Sequence, residues 1–234
     1  MYHIKQYPKS KDYGHDFEAV RQFLLKHNES LSYIHFHWSR WEWMFARASF
    51  ELEDLAHITM IYQNDTLVAL LSIEDEPGAL FLVYDDVYVL KKFIVDYLKK
   101  TNNTSDLFII NDLDMIDLLT KEGYEKKDWF DPVTRFERTE FDIIKHDDYA
   151  YVSLEEDYRL DQIHCVLWHG FDHMEPIMIN EETLNDRRRM TSSPQFKKGY
   201  TFVAKHQDQY VAYAGIWYQK DTKTALIEPV ATVP

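Results

Sequence analysis

Two stretches of this chain, 143 residues apart, spell the same hairpin. Residues 58–73, ITMIYQNDTLVALLSI, and residues 201–216, TFVAKHQDQYVAYAGI, each read as a strand, a polar turn closing on Asp, and a longer strand. Asp65 and Asp208 hold equivalent places, as do Val68 and Val211, Ala69 and Ala212, and Ile73 and Ile216. Side chains of a strand alternate between two faces, so each run lays one face on a core, and a short polar turn makes the two runs antiparallel neighbours. A constant offset that carries both turn and alternation argues for internal duplication. The competing explanation is that two unrelated alternating hairpins resemble each other. Under duplication the chain folds around two similar antiparallel sheets.

The flanking segments extend the correspondence. Each hairpin continues into a third strand, residues 79–84 and 225–230. Before the first hairpin, Phe17, Val20, Phe23 and Leu24 fall on one helical face, and an aromatic-rich helix is expected over 33–48. Before the second, Leu160, Ile163, Leu167 and Phe171 form the comparable stripe, and 181–190 reads as a second helix. Only the first half goes on. Leu90, Phe93, Ile94, Tyr97 and Leu98 recur at i, i+3, i+4, i+7, i+8, an amphipathic helix. Residues 107–110 are a short apolar run, expected as a strand buried on both faces and parallel to its neighbour. A helix over 115–121 stops at Gly123, and a last strand is expected over 129–138. The polar stretch 142–148 marks the boundary between residues 1–141 and 149–234. The fold class is α+β with a mixed α/β sheet, the second unit incomplete after its fourth strand.

Composition excludes several classes of partner. The net charge is −14, from 40 acidic against 26 basic residues. Binding along a nucleic-acid backbone needs clustered Lys and Arg, so no nucleic-acid partner is expected. The one basic run, Arg187 to Arg189, is flanked by acidic residues and reads as a solvated helix face. No apolar run reaches the ~18 residues of a membrane span, and the N-terminus lacks the apolar stretch of a signal peptide. The single cysteine, Cys165, forms no disulfide within the chain and points to a reducing, cytoplasmic setting.

The element order β-α-α-β-β-β-α-β-α-β, repeated in part, resembles the GNAT-type N-acetyltransferases. Three stretches carry the likeness: LLTKEGY at 118–124, a helix closing on Gly and an aromatic; the strands of 202–218 with the run VAYAGIWY; and IEPVATVP at 227–234, similar to the fourth strand as it nears the cofactor loop. The resemblance implies two tandem GNAT-like acyl-CoA N-acyltransferase domains and acetyl-CoA as cosubstrate. It places Ala231, Thr232 and Val233 along the pantetheine arm. It makes Glu228 a general base that takes a proton from an ammonium, so that a primary amine of a small molecule or peptide attacks the thioester; capping or ion pairing within the strand is the alternative role. In the first half, VYDDVYVL at 83–90 stands where the family has a glycine-rich pyrophosphate loop. It has no glycine, Asp85 and Asp86 would repel phosphate, and Leu119 replaces the family's tyrosine acid. The first copy therefore reads as degenerate, structural or acceptor-recognising. The second reads as cut short before its own loop, its open sheet inviting a homodimer. A non-catalytic binding or regulatory protein of the same fold is the competing expectation.

Two other clusters have chemical content. His164, Cys165, His169, Asp172 and His173 crowd HCVLWHGFDH. His169 and His173 have i, i+4 spacing, but no H-E-x-x-H pattern accompanies them, so no metal is assigned. His164 and Cys165 are adjacent and point apart on a helix, which disfavours a nucleophile–base pair. In HFHWSRWEWMFAR (35–47), Trp38, Trp41 and Phe45 share a core face, whereas Trp43 and Met44 fall off it and are expected toward a cleft or the other domain.

Overall fold

The computed structural model describes residues 1–30, 33–47, 50–74, 78–128, 140, 144, 146–220, 222 and 224–234. The fold is mixed α+β with two sheets. The chain divides into two compact units, Met1–Met44 with Phe50–Arg135, and Phe45–Ser49 with Phe136–Pro234.

The first unit contains β1 (Tyr2–Gln6), α1 (His15–Glu29), α2 (Trp38–Ala46), β2 (Thr59–Gln63), β3 (Thr66–Ser72), β4 (Ala79–Tyr84), α3 (Tyr88–Lys100), β5 (Asp106–Phe108) and α4 (Leu113–Lys121). The strands pair in chain order, antiparallel through β4, with β5 parallel to β4. β3 is buried at every position from Leu67 to Ser72, so both faces of this sheet are covered. Phe17, Val20 and Leu24 of α1, and Leu90, Ile94 and Leu98 of α3, bury as their spacing requires. The indole of Trp41 stacks on Phe17, centroids 5.7 Å apart, and donates from Nε1 to the Phe17 carbonyl at 3.2 Å.

Three expectations change. The aromatic helix is broken: Tyr33 is left-handed (φ 55°), a single 3-10 turn covers Ile34–Phe36, and His37 is extended. The buried Asn28 side chain then accepts the Trp38 N–H at 2.8 Å, replacing the helical bond a continuous helix would make. β5 is half-exposed rather than buried on both faces. Met44 is fully buried rather than turned to a cleft. Gly123 does end α4, at φ 92°, with its N–H on the Thr120 carbonyl at 3.1 Å. The strand expected at 129–138 lies outside the described residues.

The second unit contains β6 (Ala150–Ser153), α5 (Leu160–Gly170), α6 (Glu181–Met190), β7 (Thr201–His206), β8 (Gln209–Tyr218) and β9 (Ala225–Thr232), the strands antiparallel in the order β6-β7-β8-β9. The 143-residue offset recurs in the ladder itself. Ile61 pairs with Ala69 and Tyr62 with Leu67; Ala204 pairs with Ala212 and Lys205 with Tyr210. Both hairpins carry a bulge at that step, between Ile61 and Tyr62 and between Ala204 and Lys205. Asn64 and Gln207 have positive φ at the matching place in the turn. A one-residue difference in register would exchange the faces of a strand, so this agreement goes beyond alternation.

α5 packs on β8 and β9 through buried Ile163, Val166 and Leu167. Phe171, expected in that stripe, lies beyond the helix end and is half-exposed. Tyr213, Trp217 and Ala231 are buried on the helix side of the sheet. The opposite face is open among the described residues: Phe202, Ala214 and Val230 are cross-strand partners, and Phe202, Ile227 and Val230 are 43%, 49% and 56% exposed. Among the described residues no helix is long and apolar enough to cross a membrane.

Two glycines permit this packing. A Cβ on Gly170 would come within 2.7 Å of the Ala231 Cβ, and one on Gly215 within 2.6 Å of the Glu228 carbonyl oxygen. Gly215→Val is expected to lower the urea stability of the second unit by about 1–3 kcal/mol, because backbone rather than a flexible side chain must yield. Gly78→Ala, with nothing within 4 Å, is the control and should be nearly neutral.

Candidate functional site

In the second unit Glu228, Ala231 and Thr232 lie on the last strand, and Val233 follows directly after it. Glu228 is half-buried opposite Gly215, where the β8–β9 register shifts, and its carbonyl accepts the Trp217 indole N–H at 2.9 Å. Ala231 is buried, pairs with Tyr213 and sits under Gly170. Val233 donates its N–H to the Val211 carbonyl at 2.9 Å, so that group is used within the sheet. Backbone groups alternate inward and outward along an antiparallel strand, which turns the N–H and C=O of Thr232 toward the outer edge of β9. No strand pairs with that edge among the described residues. The strand thus brings together a carboxylate, a close helix–strand contact at Gly170 and one outward peptide group suited to an extended amide ligand.

The equivalent place in the first unit is chemically different. β4 and β5 pair from Ala79 and Asp106 only as far as Phe81 and Phe108, after which β4 runs on to Tyr84 and the two strands part. α3 begins beyond this gap, with Val87 as N-cap and no side-chain cap. There Lys91 is buried on the first turn. Its ammonium lies 2.6 Å from Asp86, 2.8 Å from Asp112 and 3.6 Å from Asp114. Asp112 also caps α4 through the Met115 N–H (3.1 Å) and accepts the Tyr84 hydroxyl at 3.0 Å. Asp85 is engaged by Lys26 at 2.9 Å and faces His27 at 3.3 Å. Burial opposes the charge on Lys91, but Asp112 and Asp86 outweigh it and push its pKa up. Burial likewise opposes ionisation of Asp112, yet Lys91, the Met115 N–H and the Tyr84 hydroxyl hold its carboxyl below the ordinary 3.8. Three carboxylates around one ammonium leave this helix start with negative charge, which disfavours a pyrophosphate. A cavity of about 400 Å³ lies along β5 instead, lined by Phe81, Leu107, Ile110, Ile116 and Tyr124 with His35 at its wall. Leu119 is core.

The histidine-rich segment does not form one cluster. His169 sits in the last turn of α5, whereas His173 lies beyond the helix and stacks on Trp168 at 4.5 Å, so the two share no helical face. His164 is buried and meets Arg187 of α6. The arginine run is therefore not uniformly solvated: Arg188 and Arg189 are exposed, but Arg187 is half-buried. Sequence reasoning passed over both Lys91 and Arg187. Lys91 had a readable signal, since Val95 and Leu98 continue its own face at i+4 and i+7 and place it within an apolar stripe. Arg187 had none within its helix, because its partner comes from α5.

No protein-family model matches the chain, and no curated protein matches it.

The Asp112 pair gives a pH prediction with a definite sign. A carboxyl whose pKa is lower in the folded state stabilises the fold above its unfolded value, and that contribution is lost as pH falls through the folded value. Asp112→Asn is expected to destabilise the first unit by about 2 kcal/mol near neutrality and by progressively less below about pH 4. Urea titrations of wild type and variant across pH check this; a difference that grows on acidification would contradict the assignment.

Proposed function

We propose that the chain is an acetyl-CoA-dependent N-acetyltransferase of GNAT type. In this reading residues 149–234 belong to the transferring domain, and residues 1–141 form a copy that no longer holds the cosubstrate. The observation that carries it is the arrangement of strands: an antiparallel run from β1 to β4 followed by a parallel strand that parts from its neighbour in the first unit, with the β2–β3 hairpin and its bulge repeated at one offset in the second. A parting pair leaves peptide groups free to bind an extended thioester arm. Acetyl-CoA would bring the activated acetyl group, and Thr232, between Ala231 and Val233, would pair with its amide arm. Glu228 would take the ammonium proton of a primary amine on a small molecule or peptide. The amine nitrogen then bonds to the thioester carbon as the C–S bond breaks, with no enzyme-bound intermediate. Holding amine and thioester in register is the main source of rate in such a transfer. The setting would be cytoplasmic, consistent with the unpaired thiol of Cys165.

A second reading has its own support. The Lys91–Asp112 network fills the helix start that would hold phosphate in the first unit, while a cavity remains along β5. That combination suits a binding or regulatory protein that kept the fold and gave up catalysis in at least one copy.

Thiol release from acetyl-CoA, followed with the expressed protein and a panel of primary amines, separates the two. The transferase reading predicts amine-dependent release that falls about 10²-fold or more in kcat in Glu228→Gln. Absence of release with every amine, together with absence of acetyl-CoA binding, leaves the regulatory reading. The open apolar face at Phe202, Ile227 and Val230 is also expected to be covered by a second copy; a monomer at every concentration in light scattering would contradict that.

A further inference from the structure

The two sheets can be laid on one another residue by residue, and one face of them is covered in the first unit and open in the second. In the first unit the Tyr97 hydroxyl of α3 lies 3.1 Å from the Thr59 hydroxyl, and Phe93 meets Tyr2 with ring centroids 5.2 Å apart. Thr59 therefore faces α3. Residues directly paired on neighbouring antiparallel strands share a face. The pairs Thr59–Leu71, Ile61–Ala69, Leu71–Leu82 and Ala69–Tyr84 carry that face across β2, β3 and β4. Each of these residues is buried. α3 lies over them, its own stripe of Leu90, Ile94 and Leu98 buried at i, i+4, i+8 spacing.

In the second unit the ladder repeats those pairs as Phe202–Ala214, Ala204–Ala212, Ala214–Val230 and Ala212–Thr232. Phe202, Ala204, Ala212 and Ala214 thus stand where the first unit has Thr59, Ile61, Ala69 and Leu71, and Val230 and Thr232 stand where it has Leu82 and Tyr84. None of them is buried: Phe202, Val230 and Thr232 are exposed, and the three alanines are half-exposed. The sheet's other face is occupied by α5. The positions that α3 desolvates in one unit are therefore left in water in the other. Contiguous apolar surface of this kind marks a place where something docks.

We propose that this face of β7, β8 and β9 is a docking surface for an amphipathic helix of another protein. The occupant is read from the first unit, where the same ladder positions are covered by a helix, and not from exposure alone. Alanines at 204 and 214 replace Ile61 and Leu71 and lower the floor between Phe202 and Val230. The helix that fits presents large apolar side chains, Leu, Ile or Phe, at i, i+4 and i+8. No charged residue stands among these positions, so the contact stripe is uncharged. The chain's net charge of −14 favours basic residues on the outer side of the helix, as α3 carries at Lys92, Lys99 and Lys100. Self-association through the uncovered face is what such a helix displaces. The inference rests on strand register and stands whether or not acetyl transfer occurs.

The test uses the whole 15N-labelled chain, titrated with a synthetic peptide of residues 86–101, which carries the α3 sequence, and with the same peptide bearing Ile94→Asp. The expected result is saturable amide shifts at Phe202, Ala204, Ala214, Val230 and Thr232 with β1 to β5 unmoved. The Ile94→Asp peptide should bind at least about tenfold more weakly, from a charge placed in the contact stripe. Val230→Asp in the chain, at an exposed position, should weaken the α3 peptide by about as much. The wild-type shift map decides the matter if that variant fails to fold. In light scattering, saturating peptide should leave one chain per particle. No saturable shift, shifts centred on the first unit, an equal response to the Ile94→Asp peptide, or unchanged affinity in a folded Val230→Asp chain would each overturn the proposal. So would a pair of chains that persists at saturating peptide, which would assign the face to a second copy.

Discussion

Antiparallel pairing within the two hairpins governs the rest of this structure, because side chains alternate and the register decides which of them reach the core. In the first unit the ladder from β2 to β3 puts Met60, Ile61, Ala69 and Leu70 inside. In the second, the same register puts Val203, Tyr213 and Trp217 against the helices. The bulge after Ile61 and after Ala204 lets each hairpin bend without losing that alignment. Gly215 then lets the backbone of Glu228 approach β8 at a distance no side chain allows. The position of the candidate carboxylate is thus a consequence of sheet geometry rather than of a local motif.

From this shared base the units have diverged electrically. The first buries Lys91 among Asp86, Asp112 and Asp114, a self-contained network that ties the start of α3 to the start of α4. Removing Asp112 is expensive because Lys91 stays buried and charged, with only the exposed Asp86 and Asp114 left to face it. The second unit half-buries a cation with no such enclosure: Arg187 meets the neutral His164, with Asp186 offsetting its charge in part.

Much of this was legible in the sequence. The two hairpins, their third strands and α3 follow from periodicity, since long amphipathic stretches constrain structure strongly. The offset of 143 predicted an equivalence that the register carries down to the bulge. What was not legible depended on tertiary partners. The break before α2 arises because Asn28, ten residues upstream, takes the Trp38 N–H. Phe171 fits the α5 stripe by spacing but falls past the helix end. Arg187 looks like part of a solvated run until His164 is seen beside it. Glu228, Ala231 and Thr232 lie on β9 and Val233 just past its end, and the alternation of the ladder adds that Thr232 is the one of these facing outward.

The most direct test of the functional account is an amide chemical-shift map of the 15N-labelled chain titrated with acetyl-CoA. The account predicts saturable shifts on β9 around Glu228 to Val233 and at the α5 terminus near Gly170, with residues 85–91 at the start of α3 unmoved. Shifts centred on residues 85–91, or no saturable shift anywhere, would contradict it.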